Sequence, residues 1–105
     1  MTKVKFFADK FGVIGFEISG HSTDSCNDTE GKVLCSAISS AAYMTANTLS
    51  EIIGDEIEAN VSDGFMRIKV SDASETSRKV LEGFNLHISE LSKQYSSRIT
   101  ITTEV

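Results

Sequence analysis

Apolar and polar side chains alternate with a period of two at both ends of the chain and near its middle. Between these stretches the spacing lengthens to that of a helix. Thr2 to Ala8 carries Val4 and Phe6 with Lys3 and Lys5 between them, and Val13 to Ser19 sets Ile14, Phe16 and Ile18 against Glu17. Both are patterns of half-buried strands. Asp9-Lys10-Phe11-Gly12 between them has turn composition, so the pair forms a hairpin. From Ser22 to Gly31 the side chains are those of Ser, Thr, Asp, Asn, Glu and Gly, with Cys26 alone apolar. Such a segment has nothing to bury and predicts a mobile loop. From Lys32 the period becomes helical. Leu34, Ala37, Ile38, Ala41, Thr45, Leu49 and Ile52 make one stripe, and Gly54 is a natural stop. This predicts a helix of roughly twenty residues.

Ile57, Ala59 and Val61, then Met66, Ile68 and Val70, alternate on either side of Asp63-Gly64, a strong hairpin signal. A second helix is predicted from about Ser74, with Ser74 or Thr76 as N-cap and Val80, Phe84, Ile88, Leu91 and Tyr95 on its buried stripe. Arg98 to Thr103 alternates Ile99 and Ile101 and predicts a last strand. The expected order is β-β-α-β-β-α-β: one α+β domain over residues 1–105, with a mixed sheet and two helices packed on one face.

Composition narrows the function classes. The 105 residues include ten Lys and Arg against fifteen Asp and Glu, a formal charge of −5, with no proline and no tryptophan. The basic residues are scattered, which argues against sequence-independent binding to a phosphate backbone. No apolar run approaches the roughly 18 residues of a membrane-spanning helix. Met1-Thr2-Lys3-Val4-Lys5 leads into a strand pattern rather than a signal-peptide core. Two cysteines in such a chain suggest reduced thiols and a cytoplasmic protein.

The chemistry concentrates between the first hairpin and the long helix. Gly20-His21 closes the second strand, and Cys35 is expected in the first turn of the helix, fourteen residues later. A thiol at that place would feel the positive end of the helix dipole, which lowers its pKa. The thiolate is a nucleophile, and a nearby imidazole can pair with it or relay its proton. Backbone amides at the helix start could hold an oxyanion. Gly20 allows close backbone approach. Ser39, one turn after Cys35, can hydrogen-bond the sulfur or the helix backbone. Each of these residues also has a plain structural reading, as helix core, strand end or polar filler.

Gly20-His21, a polar loop, and Val33-Leu34-Cys35-Ser36-Ala37-Ile38-Ser39 at the start of a long helix resemble the ribosomal-processing cysteine protease family, the Prp-like small bacterial His-Cys proteases. The resemblance in element order spans essentially the whole chain; the specific motif spans Gly20 to Ser39. It implies a cysteine endopeptidase, usually a homodimer, that removes the N-terminal extension of ribosomal large-subunit protein twenty-seven after an aromatic-rich motif. By position it implies His21 as general base and acid, Cys35 as nucleophile, and Gly20 and Ser39 in support. No cofactor or metal is implied. Acyl transfer would run through Cys35, with the polar loop closing over an extended peptide. Two features depart from the family pattern. Lys32 stands three positions before the cysteine where an acidic residue is usual, leaving Asp28 and Glu30 as alternative orienting carboxylates, and the loop from His to Cys is longer. Phe6-Phe7-Ala8 is similar to the motif the family cuts but reads as strand, because Phe6 falls on the core face.

Other readings are weighed against this one. His21, Asp24, Cys26, Asp28 and Cys35 are possible metal ligands, yet no CxxC or HxxxH spacing joins them and the calcium-loop template fails. Cys26 could trap an oxidised Cys35 in a redox switch. Gly31-Lys32 alone is not a P-loop. His87 reads as a partly buried helix-face residue beside Phe84 and Ile88, and Glu51-Asp55-Glu56-Glu58 as a solvated face. A non-catalytic, ribosome-associated dimeric binding module is the non-enzyme alternative. Tyr43 and Met44, off the core stripe, are candidates for a dimer contact.

Overall fold

The alternating stretches become strands because each has one apolar edge to bury and the two helical stripes supply the surface that buries it. The structure, a computed structural model, describes residues 1–21 and 28–105. The elements are β1 (Thr2–Asp9), β2 (Gly12–Ser19), α1 (Thr29–Asn47) continued by a π-helical segment (Thr48–Ile53), β3 (Ile57–Ser62), β4 (Phe65–Val70), α2 (Glu75–Gln94) and β5 (Ile99–Glu104). The strands form one mixed sheet in the order β3-β4-β2-β1-β5. β1–β2, β2–β4 and β3–β4 are antiparallel, and β5 runs parallel to β1. The expected order and class hold.

One face of the sheet carries the core. Val4, Phe6, Phe16, Met66, Ile68 and Val70 meet Leu34, Ile38, Ala42 and Leu49 of the long helix and Leu81, Phe84, Ile88 and Leu91 of α2. Phe84 joins both halves: its ring lies 4.5 Å from that of Phe16 and 5.8 Å from that of Phe6. Phe6 and Phe7 are both buried, so Phe6-Phe7-Ala8 is strand, as its pattern indicated. The opposite face is mostly polar. There Phe7 pairs with Gly15, and its ring lies 4.9 Å from Lys69 Nζ and 5.1 Å from the Arg67 guanidinium. Lys69 flanks Gly15 on the next strand. The ring thus reaches across a glycine that has no side chain of its own to pack.

Five local expectations are corrected. The register shifts between Phe7 and Ala8, where Ala8 pairs with Val13 and Phe7 with Gly15. Ile14 is the extra residue of this bulge, so Val13 rather than Ile14 packs against the core. α1 begins at Thr29, so the last part of the expected loop is helix; Ser22 to Asn27 lie outside the described residues. The π-helical segment widens the last turn and moves Ile52 off the stripe to 80% exposure, while Ile53 packs against the core. Ala59 and Val61 pair with Ile68 and Met66 but are exposed, because β3 is an edge strand. His87 is exposed rather than partly buried.

Asp55 is a further correction to the solvated acidic face. It accepts hydrogen bonds from Ser74 N (3.0 Å), Ser74 Oγ (2.7 Å) and Ser77 Oγ (2.6 Å). Ser74 is the N-cap of α2 and accepts from Ser77 N. Glu51, Glu56 and Glu58 are exposed. Among the described residues no helix is long and apolar enough to cross a membrane.

Candidate active site

His21 follows β2 directly, and its placement begins with two glycines. Gly20 has φ +84°, and a Cβ there would run into the carbonyl oxygen of Met1. Its N–H donates to Gly64 O at 3.1 Å, tying the end of β2 to the β3–β4 turn. Gly64, with φ +71°, is the left-handed residue of that turn. Pairing of Ser19 with Phe65 brings the turn beside His21.

Cys35 comes from the other side, on α1, and is partly buried. It is the seventh residue of the helix, not part of its first turn. The dipole effect falls off within one turn, so the helix end does not account for an activated thiol here. Two of the amides near the helix start are bonded to Asp28. Gly31 N donates to Asp28 Oδ1 at 3.0 Å and Lys32 N to Asp28 O at 3.1 Å. The N–H of Cys35 itself points back along the helix. The N–H groups of Gly31 and Lys32 are thus engaged within the helix start itself.

His21, Cys35, Gly20 and Ser39 nevertheless line one pocket of about 440 Å³. Its other walls include Thr2, Ile18, Ile38, Tyr43, Val61 and Met66. Ser39 is exposed towards it, one helical turn beyond Cys35. The cleft thus combines apolar side chains with a thiol and an imidazole in its lining. That combination suits a peptide side chain beside a scissile bond.

The alternative orienting carboxylates are committed to the helix start. Asp28 caps α1 and takes both ends of the Arg98 guanidinium, Nη1–Oδ2 at 2.7 Å and Nη2–Oδ1 at 3.1 Å. Glu30 lies 3.6 Å from Arg98 Nε. Lys32 is exposed. Among the described residues no three His, Cys, Asp or Glu side chains are grouped to hold one metal ion. Thr2 and the Asp63-Gly64 turn were not expected at the site. The turn was legible only as a hairpin, since the β2–β4 pairing that brings it to His21 leaves no mark in local sequence.

A family model described as cysteine protease Prp matches residues 1–100. The chain belongs to that family. It is a cysteine protease. The fold is similar to the essential ribosomal processing protease Prp from S. aureus in complex with a covalently linked product peptide. The identity is 15% and the TM-score 0.87, covering 99% of this chain and 100% of that one. The S. aureus protease in complex with a substrate peptide gives 14% and 0.87 over the same shares. SMU.848 from Streptococcus mutans gives 21% and 0.84, with 99% of each chain covered. At these identities the likeness shows the fold. A comparison with curated proteins gives no match.

Proposed function

We propose that this cysteine protease removes the N-terminal extension of ribosomal large-subunit protein twenty-seven, with Cys35 as nucleophile and His21 as general base and acid. The observation that carries the reading is that these two residues, far apart in sequence, line one peptide-sized pocket in a chain of the Prp family. The S. aureus relative holds a substrate peptide or a covalently linked product peptide on the same fold. Cys35 Sγ gives its proton to His21 and attacks the scissile carbonyl, forming a thioester as His21 protonates the departing amine. Water, losing a proton to His21, then hydrolyses the thioester and restores the thiol. Ser39 supports the sulfur or the oxyanion from one turn away. Because Cys35 stands beyond the first helical turn, its activation falls to His21 rather than to the helix dipole. The enzyme acts in the cytoplasm on a basic ribosomal protein, without membrane or direct nucleic-acid partner. It is a homodimer, for which Tyr43 and Met44, 49% and 69% exposed on α1, are candidate contacts.

The test is cleavage of a synthetic peptide carrying an aromatic-rich N-terminal extension. Cys35→Ala and His21→Ala should each lower kcat by at least about a thousandfold, with folds unchanged by circular dichroism. Alkylation of Cys35 by iodoacetamide at neutral pH should slow by about tenfold in His21→Ala, as the imidazole no longer takes the thiol proton. Full cleavage by Cys35→Ala would overturn the assignment. Alkylation unaffected by His21→Ala would remove the imidazole from the activation of the thiol.

A further inference from the structure

We infer that Gly64, in the turn between β3 and β4, is a positioning residue for His21, and that its missing side chain sets where the imidazole stands. This rests on the reading of His21 as the proton carrier. A Cβ on Gly64 would fall 2.8 Å from His21 Nε2, 3.3 Å from Cε1 and 3.7 Å from Cδ2. Carbon and nitrogen do not approach to 2.8 Å without repulsion, so the ring occupies space that only glycine leaves open. The same residue also holds the backbone: Gly64 O accepts from Gly20 N at 3.1 Å, one residue before the histidine. One glycine thus fixes both the main chain that carries His21 and the surface its ring rests on.

The consequence of filling this space follows from what can yield. The clashing atoms belong to an exposed side-chain ring, not to backbone. The ring can turn away at little cost to the fold, and it carries its nitrogens with it. A displacement of about 1 Å in a catalytic group can cost on the order of a hundredfold in rate. Gly64 also lines the pocket, but the apolar side chains of Ile18, Ile38 and Met66 that would hold a peptide are not themselves changed.

Two variants separate the ring from the turn. Gly64→Ala adds a Cβ in a left-handed conformation that alanine resists, so it can also weaken the hairpin. Gly64→Asn adds the same Cβ with a residue that tolerates φ above zero. With the aromatic-rich peptide as substrate, Gly64→Asn should melt near the parent temperature. Its kcat should fall between about tenfold and a hundredfold, by more than KM rises. The acidic limb of kcat/KM against pH should move, and the imidazole NMR signals of His21 should change position while those of exposed His87 stay put. A folded Gly64→Asn with kcat within about twofold of the parent and an unmoved pH limb would overturn the proposal. If His21→Ala is inactive in the same assay while Gly64→Asn is normal, only the role of Gly64 fails. If His21→Ala cleaves normally, the underlying reading fails instead.

Discussion

Gly15 sits where β4 leaves no room for a side chain on β2. A Cβ on it would run into the carbonyl oxygen of Ile68, with Lys69 Cα 2.9 Å away. Neither neighbour can turn aside, because both are backbone of the adjoining strand. Gly15→Ala should therefore cost about 1–3 kcal/mol through overpacking. Urea unfolding should show this as a lower midpoint with the slope unchanged; an unaltered midpoint would mean that β2 and β4 separate at no cost. The contrast with Gly64, where a movable ring would yield instead of a backbone, separates a stability glycine from a positioning glycine. Neither role is legible in the sequence, where one reads as a strand residue and the other as half of an Asp-Gly turn. What was legible at this scale was the pair His21 and Cys35, because their residue types limit the chemistry they can do. Both line one pocket, with Cys35 beyond the first helical turn rather than within it.

Element types were readable because each stretch buries one face at its own period. Boundaries depended on partners that periodicity does not see. Thr29-Glu30-Gly31 looked like loop because those residues bury little of their own, yet Asp28 caps them into α1 from the polar side. The start of α2 was visible as Ser74, but its anchor, Asp55, passed for solvated charge. Asp55 is held below the usual carboxylate range by the Ser74 hydroxyl, then by the Ser77 hydroxyl and the Ser74 backbone N–H. Asp9, at the β1–β2 turn, is lowered to about 2 by its hydrogen bond to Arg78 and then by the backbone N–H of Phe11. Both folded-state values lie below the unfolded ones. Their stabilising effect is thus present above about pH 4 and is lost as pH falls below it, towards about 2 for Asp9. The melting temperature should drop through that window. It should drop less in an Asp9→Asn, Asp55→Asn double variant, whose side chains do not ionise; equal acid sensitivity would assign the effect to other carboxylates.

Across the whole molecule, topology does what no local pattern announces. Placing β4 beside β2 carries the Asp63-Gly64 turn to His21, and placing β5 beside β1 carries Arg98 to the start of the helix that bears Cys35. The Arg98–Asp28 pair spans seventy residues, and its side chains are only 22% and 11% exposed. Arg98→Ala should cost about 1–3 kcal/mol by leaving the capping carboxylate without that guanidinium. Thermal melting measures this directly; an unchanged transition would show that the cap alone holds the helix start.

The same pair gives the chain a direction in time. A ribosome delivers His21, Cys35 and the whole first hairpin well before Arg98, so the helix bearing Cys35 is made early but clamped late. Until the last strand emerges and docks against the first, the start of that helix lacks its guanidinium partner. The start of the helix that bears Cys35 is therefore clamped only once β5 has docked beside β1.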